Sequence, residues 1–564
     1  MNRLGRDSDH EICDDFFEMR IMNRSSRIAA ALAVGLALMA IGIESTGAAE
    51  LPALPRVFID TTYSLPKGKT IAVDAGGDLQ AAVDRAAPGD TIVLEAGATY
   101  GGPITLPNKA GSGWIYIQSS SYAKLPPPGS RVSMADAVNM PRIVGPGWSV
   151  DAIRGWGVEA INTKAQAHHF RFVGIEIAPA DGKFIKNLVN IGNREKSVAD
   201  LPHDITFDRC YIHGDPDVGG RRGVAMNGVS LAVIDSYVSD FKEVGADTQA
   251  LWTANTPGPL KIVNNFLEAA GENFMSGGAD PTIANVIPSD MEIRRNHFFK
   301  PLSWMSSNWS VKNLIEFKSG QRILVEGNTF ENIWAAAQTG GLMVAKSSNQ
   351  DGKCTWCVTQ HLTVRFNRGV NLENGFQLGG PEGVALLMNH VLIEHNVLEI
   401  TRPNNGGGQV FLIVRGPRDM TIRHNTGLIL ASGGTAGLSE NSPKSERFDF
   451  RDNLLSNGDY GFAGTGAGSG TSVLDRYFRE YLFVGNAIIG GGPIDNYPRG
   501  NFFPRDPAAV GFVDFARGNY RLAPTSPLHN AASDGHDVGA DIDMIDMAIG
   551  GGRAVSAPPS KYRH

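Results

Sequence analysis

The stretch Met291-Glu292-Ile293-Arg294-Arg295-Asn296 reads apolar, polar, apolar, polar, polar, Asn, and the chain keeps returning to it. The copies are Ile323 to Asn328 (ILVEGN), Leu362 to Asn367 (LTVRFN), Val391 to Asn396 (VLIEHN), Met420 to Asn425 (MTIRHN), Phe448 to Asn453 (FDFRDN) and Tyr481 to Asn486 (YLFVGN). Looser copies end at Asn265, Ser236 and Cys210. Successive endings lie mostly 26 to 33 residues apart, with one interval of 39 between Asn328 and Asn367. Self-similarity at such a period marks a solenoid. Within each unit the apolar residues alternate with polar ones, so one face of a short strand meets a core and the other meets water. Gly, Asn, Asp and Pro clusters follow each unit, and no long 3.6-residue apolar window separates them, which disfavours helical repeats. The expected fold is all-β, a single-stranded parallel β-helix. The recurring Asn is expected to stack from coil to coil as a structural ladder, each bond contributing about 0.5–1.5 kcal/mol net.

Solenoids need covered ends. Leu79, Val83 and Ala86 or Ala87 share one face of a predicted helix, Asp78 can cap its start, and Pro88-Gly89 stops it. Thr91-Ile92-Val93-Leu94 then opens a strand, and Asn519 to Asp543 supplies a closing segment. The helix with its following strand, the Asn-bearing coils and the closing YRLAPTSPLHNA…DVGADID together resemble the right-handed parallel β-helix proteins of the pectate-lyase-like superfamily, over roughly Lys69 to Asp543. That resemblance implies a right-handed coil and a polysaccharide-active scaffold, on which lyases, hydrolases, epimerases, esterases and tailspikes all occur.

The chain of 564 residues carries 19% charged residues, 67 Gly and a net charge of −7, and no basic, aromatic-interleaved patch, so nucleic acid is not an expected partner. Residues 1–49 read as a signal-peptide region: a basic start from Met22, itself a candidate start codon, an apolar run from Ile28 to Ile43, and Gly47-Ala48-Ala49 as the cleavage site. The expected order is then a linker at 50–68, the β-helix at 69–543 and a tail at 544–564. A secreted or periplasmic monomer with no membrane span in the mature chain follows. Cys354 and Cys357 are expected to form a local disulfide, and Cys210 a buried free thiol.

In the superfamily, the Asn-bearing strand leads through a short strand and a turn to the sheet that holds the substrate cleft. Carried onto this sequence, those cleft strands are Ala250 to Ala254, Asn273 to Gly277, Leu314 to Lys318, Leu342 to Lys346, Phe376 to Gly380 and Phe411 to Arg415. Alternation sends Glu316 and Lys318 to solvent, with Lys346 and Arg415 at equivalent outward positions. Such a cationic row suits β-elimination on a uronate glycan, where a cation neutralises the carboxylate and a lysine crowded by like charges serves as base. Lys318 is the candidate base, and Arg415 or Lys346 the clamps. Glu316-Phe317-Lys318-Ser319 and Gly327-Asn328-Thr329-Phe330 also resemble the corresponding stretches of the chondroitinase B and alginate lyase family. Val311 and Asn313 stand where that family has paired Glu, and no Arg-His-Gly follows, so the family's calcium site and acid are not carried over.

A second constellation gathers Glu272, Asn273 and Asp280 around a Gly-rich turn, with Asp247 and Gln249 one coil earlier. These groups could bind substrate, hydrolyse a glycoside, or hold calcium through Asp247, Glu272 and Asp280; calcium is the one candidate cofactor. Trp252, Trp304, Trp309 and Trp334 are candidate sugar platforms, Trp334 equally a core residue. The 13 His form no metal-spaced set and take no role. Three readings stay open: a polysaccharide lyase as the lead, a glycoside hydrolase using Glu272 with Asp280 or Glu316, and a non-catalytic glycan-binding β-helix.

Overall fold

The computed structural model describes residues 49–148, 158–192, 195–440 and 443–550. The signal-peptide region, the candidate start at Met22 and Cys13 lie outside the described residues, apart from Ala49, the last position of that region. Three long sheets run along the molecule, one of 14 parallel strands and two of 13. The first sheet runs from Thr70–Val73 to Phe478–Val484, the second from Thr99–Gly101 to Ala487–Ile489, and the third from Ile104–Leu106 to Gly468–Ser469, its last pair alone antiparallel. Each coil visits the three sheets in turn and rises one strand in each, which is a right-handed parallel β-helix. Among the described residues no helix is long and apolar enough to cross a membrane.

The repeated phrase occupies the first sheet. MEIRRN belongs to Ser289–Arg294, whose Met291 and Ile293 are fully buried and pair with Ile323 and Val325 of the next coil. The residue before each ladder position bends into the left-handed region, from Arg209, Asp235, Asn264 and Arg295 to Phe366, His395, His424 and Asp452, with Gly327 and Gly485 completing the series. That bend turns the chain from the first sheet into the second and aims the next side chain inward. The ladder then closes on itself: each Asn Oδ1 accepts the backbone N–H of the ladder residue one coil earlier at 2.9–3.1 Å, from Ser236–Asn265 to Asn486–Asn501. From Asn265 onward that Oδ1 also takes the preceding amide N–H at 2.8–3.0 Å. Asn501, outside the repeat phrase, is the terminal rung.

The capping helix is Leu79–Arg85, with the Asp78 side chain accepting from the Ala81 amide at 2.9 Å and Leu79, Ala82 and Val83 buried on the first coil. Two segments differ from expectation. Residues 50–64 are a strap laid along the outer face of the first sheet. The Glu50 amide reaches Asp419, Ala53 reaches His361, Arg56 reaches Asp290, the Ile59 carbonyl takes Lys261, the Thr61 carbonyl takes Arg171, and the Tyr63 hydroxyl reaches Gln118. The expected tail boundary at 544 falls inside a helix, Ile542–Ile549, whose Ile542 and Ile545 join a second buried cluster with Leu428, Leu454 and Leu528. Alternation extends a strand; it says nothing of a chain that crosses strands through its backbone groups.

Candidate functional site

The expected cleft strands are consecutive in the third sheet: Gln249–Thr253, Glu272–Ser276, Ile315–Phe317, Gly341–Lys346, Asn374–Gly379 and Gln409–Val414. Stacked at about 4.8 Å, their outward residues become vertical neighbours. Arg222, Gln249 and Glu272 form one column, and Trp252, Met275, Glu316 and Val344 another. Met275 and Val344 are buried yet lie outside the core cluster, so this face is roofed by loops. Part of the roof is the pairing of Gly278 with Asn349, next to which Asp280 accepts the amides of Lys353 at 2.7 Å and Cys354 at 3.1 Å. The Cys354–Cys357 disulfide is present, and Cys210 is a buried free thiol whose pKa burial pushes up to about 12.

A polar relay crosses the two columns. Arg222 Nε donates to Gln249 Oε1 at 2.8 Å, and Gln249 Nε2 donates to Glu272 Oε2 at 2.8 Å. The Arg222 guanidinium stacks 4.4 Å above the half-buried Trp252, whose indole N–H is fixed on the Gly277 carbonyl at 3.0 Å. Glu272 is fully buried, and its second oxygen, Oε1, has no hydrogen-bond partner among the described residues. Burial, then the charges of Glu316 and Asp247, drive the Glu272 carboxyl far above the ordinary range, against the Gln249 amide and Lys312. Glu316 lies within reach of the Asn313 amide at 3.4 Å and of Lys318 Nζ at 3.5 Å. Lys312 pairs with Asp247 at the edge of the site.

Several expectations are corrected here. Glu316 projects away from the core but is only 1% exposed, because loops cover it. Lys318 is not pushed down: burial opposes its charge, but Glu316, Glu272 and Asp247 outweigh burial and hold its pKa above the ordinary lysine value. Lys346 and Arg415 do not share a column, since Lys346 and Val414 both pair with Gly379; their cations converge on one carboxylate, Glu382, at 3.0 and 2.6 Å. Asn273 faces the interior, donating to the carbonyls of Leu267 at 2.6 Å and Phe299 at 2.8 Å, and contacts no groove. Asp280 pins the disulfide loop, and Asp247, Glu272 and Asp280 do not form a ligand set; among the described residues the triads close enough to share an ion are His169, His203 and Asp204, and His424, Asp452 and Asp534. Trp304 and Trp334 are core residues and Trp309 packs on that core, with Lys242 Nζ 5.4 and 5.8 Å from the Trp304 and Trp309 rings. Of the four, Trp252 alone lines this face.

Arg222 escaped the sequence reading, and so did two lysines. Lys300, fully buried, donates to the carbonyls of Ala269 at 2.6 Å, Ala270 at 3.0 Å and Gly271 at 2.8 Å and to Asn273 Oδ1 at 3.0 Å. It fixes the turn that delivers Glu272, and burial lowers the Lys300 pKa to about 7 against the pull of Glu272 and Glu268. The signal was a lysine two residues after the buried Phe298, directly after the short strand His297–Phe299. Lys186 precedes Asn187, the register partner of Arg222, and its carbonyl accepts the Arg222 amide at 3.0 Å. Burial, then Arg221 and Arg222, lower the Lys186 pKa to about 8. Arg221 itself is bidentate on Glu243 at 2.6 and 2.7 Å.

No protein-family model and no curated protein matches the chain. Solved structures do. An alginate lyase from Paenibacillus sp. str. FPU-7 matches at 14% identity and TM-score 0.29, over 77% of this chain and 98% of its own. The PL6 family alginate lyase AlyGC matches at 11% identity and TM-score 0.46, over 87% of this chain and 59% of its own. The catalytic unit of a GH87 alpha-1,3-glucanase from Streptomyces thermodiastaticus matches at 13% identity and TM-score 0.44, over 79% of this chain and 69% of its own. At these identities the likeness is one of fold.

Proposed function

We propose that this chain is an exported glycan-cleaving enzyme whose chemistry sits on the roofed face of the third sheet, with Glu272 as general acid and Glu316 as the second carboxyl group. The observation that carries this reading is the juxtaposition of two carboxyl groups: Glu272 is driven toward its protonated form, and Glu316, one of the neighbours that drives it, lies 3.5 Å from Lys318 Nζ. A carboxyl group held toward its protonated form beside a second carboxyl group is the kind of pair glycoside hydrolysis uses. The unpartnered Glu272 Oε1 supports it further, because a buried carboxyl oxygen left without a partner costs roughly 1–3 kcal/mol, and a glycosidic oxygen would supply one. Trp252, held in place and half-buried, is the surface on which a sugar ring would stack.

A second reading, β-elimination on an acidic glycan, draws on Lys186. A lysine at about 8, beside Arg222, whose guanidinium is held on the Gln249 amide oxygen and not on a carboxylate, meets the demands of proton abstraction better than Lys318 does. One assay separates the two: purified protein is incubated with neutral and uronate-containing polysaccharides while new reducing ends and ultraviolet absorbance are followed together. The hydrolytic reading expects reducing ends without absorbance growth. Absorbance growth in step with chain ends would move the chemistry to Lys186, and retention on a glycan column with neither signal would leave a binding protein.

A further inference from the structure

Far from that face, at the outer start of the first sheet, two consecutive coils bring imidazoles and a carboxylate together. His168 and His203 are register partners in the strands His168–Val173 and His203–Asp208. Their rings stack at 4.8 Å with 9° between planes. The next residues, His169 and Asp204, both take left-handed backbone, at φ 58° and 53°. One nitrogen from each of His169 and His203 and one oxygen of Asp204 fall within 4.8 Å of one another. The 34-position separation of His169 and His203 hides this set from any reading by spacing.

The hydrogen bonds fix the tautomers. His168 Nε2 lies 2.8 Å from the Lys109 carbonyl, which can only accept, so a neutral His168 carries its proton there and presents a lone pair at Nδ1. His169 Nδ1 lies 2.8 Å from that lone pair and must donate to it, which leaves His169 Nε2 without a proton. A backbone carbonyl thus orients one imidazole, which orients the next. This is the outer-shell arrangement that raises the basicity of metal-ligating histidines. His203 Nδ1 and Asp204 Oδ2 are 2.7 Å apart, so the carboxylate is held against the second ring. Trp114 packs edge-on to His169 at 5.4 Å and walls one side. The other triad shares such a histidine–aspartate bond, His424 Nε2 to Asp534 at 2.9 Å, but differs at Asp452, both of whose oxygens are already taken, Oδ1 by the Ser533 amide at 2.7 Å and Oδ2 by the Ser533 hydroxyl at 2.6 Å.

We propose that His169, His203 and Asp204 form a binding site for a borderline divalent transition metal of the zinc type, with His168 as the positioning residue behind His169. Two imidazoles and one carboxylate select such ions over calcium or magnesium, and three protein ligands leave a position open to water. The test uses purified, tag-free protein stripped with chelator and titrated with Zn²⁺ by calorimetry and with Co²⁺ by visible absorption. One equivalent of each metal binds, Co²⁺ developing ligand-field bands, while Ca²⁺ gives no heat. H203A and D204N, each checked for an unchanged circular dichroism spectrum, weaken Zn²⁺ binding at least 100-fold; H168A weakens it about 10- to 100-fold. D534N, in the other triad, leaves it unaltered. Absence of Zn²⁺ binding, binding of equal strength in H203A and D204N, or loss in D534N overturns the assignment.

Discussion

Asn367 illustrates what one side chain does in this fold. Its Oδ1 accepts the backbone amide of Asn328 at 2.9 Å and the Asn328 side-chain amide at 3.0 Å, while its own Nδ2 donates to Val325 at 3.0 Å and to Asn396 at 2.8 Å. Alanine there strands the buried donors of Asn328 and takes a donor from the Val325 carbonyl and from Asn396 Oδ1, so Asn367→Ala should cost about 2–4 kcal/mol, read as a lowered urea midpoint with unchanged slope. A midpoint within experimental error of the wild type would remove the ladder from the list of register devices. Glu268 behaves oppositely. Buried in the second sheet and faced by Asp240, its carboxyl is pushed up to about 7, against the Asp240 amide, Lys242 and Lys300. The folded form therefore holds its proton longer than the unfolded chain, and stability falls as pH rises from the ordinary glutamate range toward 7. Glu268→Gln should raise the unfolding midpoint at pH 8 by about 1–3 kcal/mol and leave it nearly unchanged at pH 4; equal gains at both pH values would contradict the burial account.

Among the elements, the strap at residues 50–64 is the least secured. It buries little of itself and holds to the first sheet through single bonds such as Arg56 N–H to Asp290 at 2.9 Å and Ala53 N–H to His361 at 3.2 Å. Each such bond nets about 0.5–1.5 kcal/mol, while ordering a residue costs about 1–2 kcal/mol, so the two nearly cancel. Hydrogen exchange should find the Ala53 and Arg56 amides opening far more readily than the ladder amides of Asn296 and Asn328. Comparable protection in the two places would mean that the strap is integral to the solenoid. Sequence patterning could not place this segment, because its partners are scattered over coils from Gln118 to Asp419 and are met through backbone groups.

Over the whole molecule, the coil was legible because a solenoid writes its register into the sequence once per turn; Met291, Ile323 and Leu362 announce their own stacking. The same register correctly ordered the cleft strands and set Glu316 outward. It could not report the loops that roof the face, and roofing reverses the electrostatics. Lys318, read as crowded by cations, is surrounded by carboxylates, and Lys346 and Arg415 are drawn to Glu382, a loop residue beyond the reach of strand alternation. Lys300 and Lys186 were missed for the same reason, since their roles depend on turns and on neighbours a coil away. The central claim is that Glu272 and Glu316 work as a catalytic pair of carboxyl groups, Glu272 as the acid. Its most direct test is the turnover of E272Q and E316Q on the best polysaccharide of the panel, each protein first checked for an unchanged unfolding midpoint. The account predicts that each substitution alone lowers kcat about 10²- to 10⁴-fold; turnover within a few-fold of wild type in both variants would contradict it.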